Sequence, residues 1–401
     1  MNVRLLCMGL VVALLSGCSV DWLGGASKYH PEDIGGLSKE AKDLVSAAMT
    51  GIDPEQFVDY HVHALSTGSS GNGSYLGAPL TKSMSGRILA ALYKSGAGIT
   101  DDEQADQQFV DRLLALRKHS GLGGKSHLLA YDQSYTQDGN VKPSVTMFYI
   151  PNNYVVQLSK DHPDDFVPVI SVHPYNPDAI AEINKWGSKG VRWVKWSAPM
   201  MEILPNDPSL EKFYLAMKAH NMTLLSHGGP YSLAEEQSQH FGNPLYLMLP
   251  LSLGVKVVVA HSASGGECRD IEADGAPVLP CFDLFLRMLQ DEKYRGQLFG
   301  DISAMLNSSH LGEPLKHFLA HPELHERLIY GSDYPGPAIN VVINTSDLVD
   351  KGFISDENRN LLNEIYNYNP LLFDFVMQRT VAHPETGQKF SDRIFQRRNE
   401  L

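Results

Sequence analysis

Four cysteines in 401 residues are too few to staple a fold of this size. None are spaced as C-x-x-C, which excludes a thiolate zinc site. No G-x-G-x-x-G follows an early strand, so the usual mark of a dinucleotide-binding open sheet is missing. A serine-hydrolase elbow, G-x-S-x-G, is also absent: Gly68-Ser69-Ser70-Gly71 and Ser262-Ala263-Ser264-Gly265 both miss it. Basic charge is short, with 33 Lys and Arg against 46 Asp and Glu and a formal net charge of −13. No basic stripe offsets that balance, which argues against a nucleic-acid partner. The one basic cluster, Arg393 to Arg398, reads as a solvated terminal helix. What remains is globular composition, 43% hydrophobic and 20% charged. The length suits one large barrel with insertions or two ordinary domains.

The N-terminus reads as separate from the fold. Arg4 precedes an apolar run from Leu5 to Leu15, too short to span a bilayer and laid out as a secretory signal. It ends in Leu15-Ser16-Gly17-Cys18, which resembles the lipobox of bacterial lipoproteins. That resemblance implies a signal peptide over 1–17, a lipid on Cys18 and a membrane anchor in a bacterial cell envelope; an ordinary signal cleaved nearby is the alternative. Ser19 rather than Asp after the cysteine implies the outer membrane if the source is Gram-negative. Residues 18–50 then form a tether and a short helix that Ser38 can cap, running to about Met49. Cys268 and Cys281 are left as a pair, either a disulfide in an oxidising compartment or two free thiols.

From Phe57 the pattern alternates between strand and helix. Val58 to His63 is the first strand. A Gly- and Ser-rich stretch follows to Thr81, then helical patterns over Ser85–Lys94 and Asp101–His119. Further strands are expected at His127–Gln133, Val167–His173, Val191–Trp196, Thr223–His227, Lys256–His261, Leu298–Ala304 and Leu328–Asp333, with amphipathic segments between them. Eight strands with intervening helices predict a (β/α)8 TIM barrel over 51–378, with a long helical insertion after strand 1. One helical tail, Asp356 to Gln378, packs outside it, and residues 379–401 are a C-terminal tail.

In such a barrel the strands' C-terminal ends carry the chemistry. Those ends hold His61 and His63, His173, Lys195, His227, His261 and Asp333. Strand alternation puts Asp59, His61 and His63 on one face of the first strand and Val58, Tyr60 and Val62 on the other. It likewise groups Thr223, Leu225 and His227; Val257, Val259 and His261; and Ile329, Gly331 and Asp333. Imidazoles and carboxylates converging from several strands can hold a divalent metal and leave a position for water, whose pKa the metal lowers.

Asp59-Tyr60-His61-Val62-His63, Gly190 to Lys195, Leu225-Ser226-His227-Gly228-Gly229, Val259-Ala260-His261-Ser262, Phe299-Gly300-Asp301-Ile302-Ser303 and Tyr330-Gly331-Ser332-Asp333-Tyr334-Pro335 together resemble the metal-dependent amidohydrolase superfamily. Within it, the chain is similar to the amidohydrolase-related branch (amidohydrolase 2), which also contains non-oxidative decarboxylases. The resemblance implies that His61, His63, His227 and Asp333 ligate one divalent metal, zinc by the branch's habit. Asp333 would also be the proton carrier. His261 would be either a catalytic acid/base or a ligand to a second metal. Lys195 would either bridge two metals as a carboxylated lysine or contact substrate, and His173 would be a pocket wall or a substrate contact.

The implied activity is hydrolysis of an amide, ester or lactone in a small molecule by metal-bound hydroxide. A decarboxylase on the same fold is the alternative, and a non-catalytic metal- or ligand-binding lipoprotein is the third reading. Two departures bear on the pocket: Trp196-Ser197-Ala198-Pro199 replaces a common His-Pro pair, and Gly265-Gly266 with the Cys268–Cys281 loop extends the sixth strand's mouth. Asp301 reads as a hydrogen-bonding residue of the rim. His317, His321 and His325 recur every four residues but are interrupted by Pro322, and read as a solvated face.

Overall fold

The computed structural model describes residues 28–231 and 233–401. The expected signal peptide, 1–17, and Cys18 lie outside the described residues. Strands β1 (Val58–His63), β2 (Lys125–Leu129) and β3 (Phe166–Val169) pair in parallel. So do β4 (Trp193–Trp196), β5 (Thr223–His227), β6 (Lys256–Ala260), β7 (Leu298–Asp301) and β8 (Leu328–Ile329). Two parallel bridges join the sheets into a ring: Ile170 with Val194, and Val62 with Tyr334. At the second seam the Tyr60 and His63 N–H groups donate to the Tyr330 and Tyr334 carbonyls at 3.0 and 2.9 Å. The chain therefore forms the closed (β/α)8 barrel that its alternating pattern predicts.

Side chains from all eight strands fill the interior: Val58, Tyr60, Leu129, Val169, Trp193, Leu225, Val258, Ala260, Phe299 and Ile329. Their sequence neighbours, among them Leu128, Val194, Leu224, Val257 and Leu298, face the surrounding helices. This corrects two assignments of strand face. Val58 and Tyr60 point inward, and the pairing of β1 with β2 shifts register between Asp59 and Val62. An extra residue at such a bulge lets Tyr60 and His61 both turn toward the axis. On β6 the inward residues are Val258 and Ala260, not Val257 and Val259. His261 follows the strand in the left-handed region, φ +57°, and so does not continue its alternation. Several strands also stop short of their expected ends, β2 at Leu129, β3 at Val169, β7 at Asp301 and β8 at Ile329.

Helix α1 (Lys39–Met49) begins where Ser38 accepts from the Ala41 N–H. It is part of the body and not a spacer: Ala41 is fully buried, and the Arg379 guanidinium donates to the Ala48 carbonyl at 2.9 Å. The insertion after β1 carries α2 (Met84–Gly96) and α3 (Ala105–Lys118). A two-stranded ribbon, Tyr75–Leu76 with Phe148–Tyr149, ties it to the loop after β2. The expected single helix over Asp356–Gln378 is two, α4 (Asp356–Tyr366) and α5 (Pro370–Thr380). Asn369 accepts from the Leu371 and Leu372 N–H groups and Pro370 opens the new helix, so capping and a missing donor restart it there.

The C-terminal segment is not a solvated helix. Its one helical turn, Asp392–Phe395, lies against β8, where the Tyr330 N–H donates to the Ile394 carbonyl at 2.9 Å. Arg398 is buried and its guanidinium donates to the His325 and Leu328 carbonyls at 2.8 and 2.9 Å. Leu401 packs on the interior cluster. These residues close the barrel's floor, where carbonyls at the strand starts need donors. His325 is likewise buried, with Nε2 2.8 Å from the Phe318 carbonyl, so the three-histidine series is not one solvated face.

Candidate metal centre at the barrel mouth

His61 and His63 reach the mouth from β1, and Asp333 arrives from the turn after β8. His61 Nε2 lies 3.3 Å from His63 Nε2 and 3.3 Å from Asp333 Oδ1, and His63 Nε2 lies 3.1 Å from the same oxygen. Ligands held tetrahedrally at about 2.0–2.2 Å from an ion stand about 3.3–3.6 Å apart. Two edges of the triangle, at 3.3 Å, meet that spacing and the third, at 3.1 Å, falls just short of it. Gly331 makes room for it, since a Cβ there would lie 2.6 Å from the His61 Cβ.

Asp301 fixes the orientation of His61. Its Oδ2 lies 2.9 Å from His61 Nδ1, and neither side chain is exposed. An ionised carboxylate only accepts, so the proton sits on Nδ1 and the Nε2 lone pair faces the triangle. Oδ1 accepts from the backbone N–H groups of His261 and Ser303, at 2.7 and 3.1 Å. Burial by itself would raise the Asp301 carboxyl, but the His61 and His261 imidazoles outweigh it and bring the pKa to about 2. The Asp333 carboxyl, despite burial, is held well below the usual carboxylate range by His61 and His63. Burial, followed by the Lys195 charge, lowers His61 to about 4, so the ring is neutral and available as a ligand at pH 7.

Lys195 comes from β4, with Nζ 3.2 Å from His61 Nε2. Burial lowers its pKa to about 8. It thus stands at the triangle's edge. His227, ending β5, stays outside the two groups whose ligand atoms lie within 4.8 Å of one another: His61, His63 and Asp333; and His61, His261 and Asp301. Its ring is 5.1 Å from that of His261, and its buried Nε2 has no hydrogen-bond partner. A buried imidazole nitrogen without a partner suits a ligand position facing an ion. The donor set therefore fits a divalent cation.

His261 stacks on His61 at 5.3 Å between ring centroids and holds Ser303 Oγ at 2.8 Å through Nδ1. It opens three successive non-glycine residues in the left-handed region, with φ of 57°, 49° and 50° at His261, Ser262 and Ala263. Such a run is strained and is kept only where the surroundings enforce it. His173 is not brought to the triangle. Its Nε2 lies 2.8 Å from the Met201 carbonyl and its Nδ1 accepts from the Tyr175 N–H, so both ring nitrogens are spent on backbone. Cys268 and Cys281 are disulfide-bonded beside the mouth.

Three site residues escaped the sequence reading. His310, in the loop after β7, holds Ser264 Oγ at 2.9 Å and lies 6.0 Å from the His261 ring. Gly265 permits this, because a Cβ there would come within 2.8 Å of His310. Tyr93 of α2 and Tyr231 after β5 both line the pocket beside His63. No strand end or motif marks any of the three. The insertion is held in place by Asp106, which accepts from Ser66 Oγ at 2.7 Å, the Thr67 N–H at 2.8 Å and the Ser70 N–H at 2.9 Å.

No protein-family model matches the chain, and a comparison with curated proteins finds no match either. Among solved structures, it is similar to an IDCase from Metarhizium anisopliae in apo form, at 14% identity over 87% of this chain and 96% of that one, with a TM-score of 0.45. A 5-carboxyvanillate decarboxylase from Novosphingobium aromaticivorans, with bound manganese, is 11% identical over 78% and 94%, at a TM-score of 0.41. An amidohydrolase from Burkholderia multivorans, with bound zinc, is 12% identical over 73% and 89%, at 0.39. At these distances the chain's chemistry rests on its own residues: a closed barrel whose mouth brings two histidines and an aspartate within one ion's reach.

Proposed function

We propose that this chain is a metal-dependent hydrolase of the amidohydrolase-related kind, cleaving a C–N or C–O bond of a small molecule. The observation that carries this is the triangle of His61 Nε2, His63 Nε2 and Asp333 Oδ1, with edges of 3.1 to 3.3 Å. His227 supplies a further ligand through its unpartnered Nε2, and zinc suits a set of imidazoles and one carboxylate. A divalent cation bound there supplies Lewis acidity, polarising the scissile carbonyl and making water more acidic. Asp333 accepts the proton of the attacking water and passes it to the leaving nitrogen or oxygen. His261, stacked on His61 and held by Ser303, faces the reacting carbonyl as acid or base.

Chelation should abolish turnover of amide, ester and lactone substrates, and stoichiometric zinc should restore it with one 18O atom from labelled water in the product. Undiminished hydrolysis by the chelated chain would overturn the proposal. A second reading, decarboxylation of a small acid, draws on Lys195, a buried amine 3.2 Å from His61 Nε2 that can hold a substrate carboxylate. Carbon dioxide release without 18O incorporation selects it.

We also propose export and lipid anchoring at Cys18 in a bacterial envelope. The lipobox-like Leu15-Ser16-Gly17-Cys18 supports this, as does the Cys268–Cys281 disulfide, which suits an oxidising compartment. Metabolic labelling with palmitate, lost in Cys18→Ala, tests it; equal labelling of that variant counts against it.

A further inference from the structure

A pocket adjoins the triangle, with His63 in its wall. Its walls come mainly from the insertion: Leu76, Leu80 and Ala90, with Phe148 across the ribbon. Tyr93 and Tyr231 also line it, and the Tyr231 ring stands edge-on to His227 at 4.7 Å. The wall beside the reacting end is thus mostly apolar. Lys94 is the one lysine or arginine among the described residues lining it, and its Nζ is paired with Asp102 at 2.6 Å. Lys195 stands at the triangle and does not line this wall.

We infer that the insertion selects substrates whose body is apolar and uncharged away from the scissile bond: medium-chain or arylalkyl esters, lactones or amides. This rests on the hydrolytic reading for the bond that is cut, and on the cavity walls alone for the part that is bound. A carboxylate at the far end would lose its water with no free cation to meet it. A hydrocarbon chain there loses only unfavourable contact with water. The reaction itself needs no co-reactant: ester and water give acid and alcohol, with the acyl–oxygen bond broken and the new one made by water's oxygen.

Two measurements test this. Calorimetric titration of the metal-free full chain compares 2-decanone with 9-oxodecanoate, ligands of equal length that cannot be hydrolysed. The ketone should bind at least about 30-fold tighter. Equal or tighter binding of the keto acid overturns the inference, whatever the catalysis. With the zinc-loaded chain, kcat/KM for 4-nitrophenyl octanoate should exceed that for the mono-4-nitrophenyl ester of octanedioic acid by about 100-fold. Equal turnover of both overturns the inference and keeps the hydrolytic reading. Turnover of neither, with the ketone bound, overturns the hydrolytic reading and keeps the inference. Leu80→Arg places a cation in the wall and should narrow both ratios; if it does not fold, the two comparisons on the unaltered chain still decide.

Discussion

His61 and Asp301 form a buried imidazole–carboxylate pair, Nδ1 to Oδ2 at 2.9 Å, with both side chains fully enclosed. Because the same carboxylate also accepts the His261 N–H, one aspartate orients a ligand from β1 and the backbone that carries His261. Asp301→Asn keeps the shape but removes the charge that fixes the tautomer. Metal affinity should fall by about 10- to 100-fold. Competition with a chromophoric chelator measures it, and an unchanged affinity would show that the pair does not tune the site.

Lys195 decides how many ions the mouth holds. Its amine lies against His61 Nε2, a contact that needs no second metal, so elemental analysis of the loaded protein should give one ion per chain. Lys195→Met should leave that content unchanged while lowering turnover. A fall from two ions to one in the variant would instead identify a bridging, carboxylated lysine.

His127 gives the fold a pH dependence that does not pass through the metal ligands. It sits inside the barrel against Tyr60 and Trp193, and burial, then the Arg397 charge, lowers its pKa to about 3. The unfolded chain takes up this proton near pH 6.5 and the native one only near 3. Stability is therefore full above pH 6.5 and is lost as pH falls through that window. Between pH 7 and 4.5 the loss from this group should be about 2 kcal/mol. His127→Phe should lose correspondingly less over the same interval in urea denaturation; identical pH slopes in the two proteins would assign the dependence elsewhere.

The Cys268–Cys281 bond closes a loop with a sequence separation of 13 at the mouth. Cys268→Ser should lower stability by about 2–3 kcal/mol, chiefly through the unfolded chain. Denaturation midpoints with and without a reductant check this, and the reductant should have no effect on the variant.

The barrel was legible because period-two strands alternate with amphipathic helices, and the residues gathered at its mouth because histidines and aspartate end those strands. Parity failed where the backbone leaves regular geometry: the register shift in β1 lets His61 turn to the same side as Tyr60, and the left-handed turn at His261 follows a strand whose alternation it does not keep. His310 was invisible because a loop, not a strand, delivers it, and its partner Ser264 is 46 residues away in sequence. Tyr93 was hidden for the opposite reason: on a helix of regular pattern, nothing distinguishes a pocket tyrosine from a packing one. The buried tail around Arg398 misled by charge, since an arginine can end inside when one arm of its fork meets backbone carbonyls and the other a carboxylate, here His325 and Leu328 on one side and Glu326 on the other.

That tail sets an order of events. The guanidinium that seals the floor belongs to Arg398, and the first carbonyl of β8 that it holds, at Leu328, is synthesised 70 residues before it. A growing polypeptide can assemble all eight strands but cannot seal their base until Arg398 has followed them. Chains clipped ahead of Arg398 therefore leave the base of the barrel open to water and to proteases.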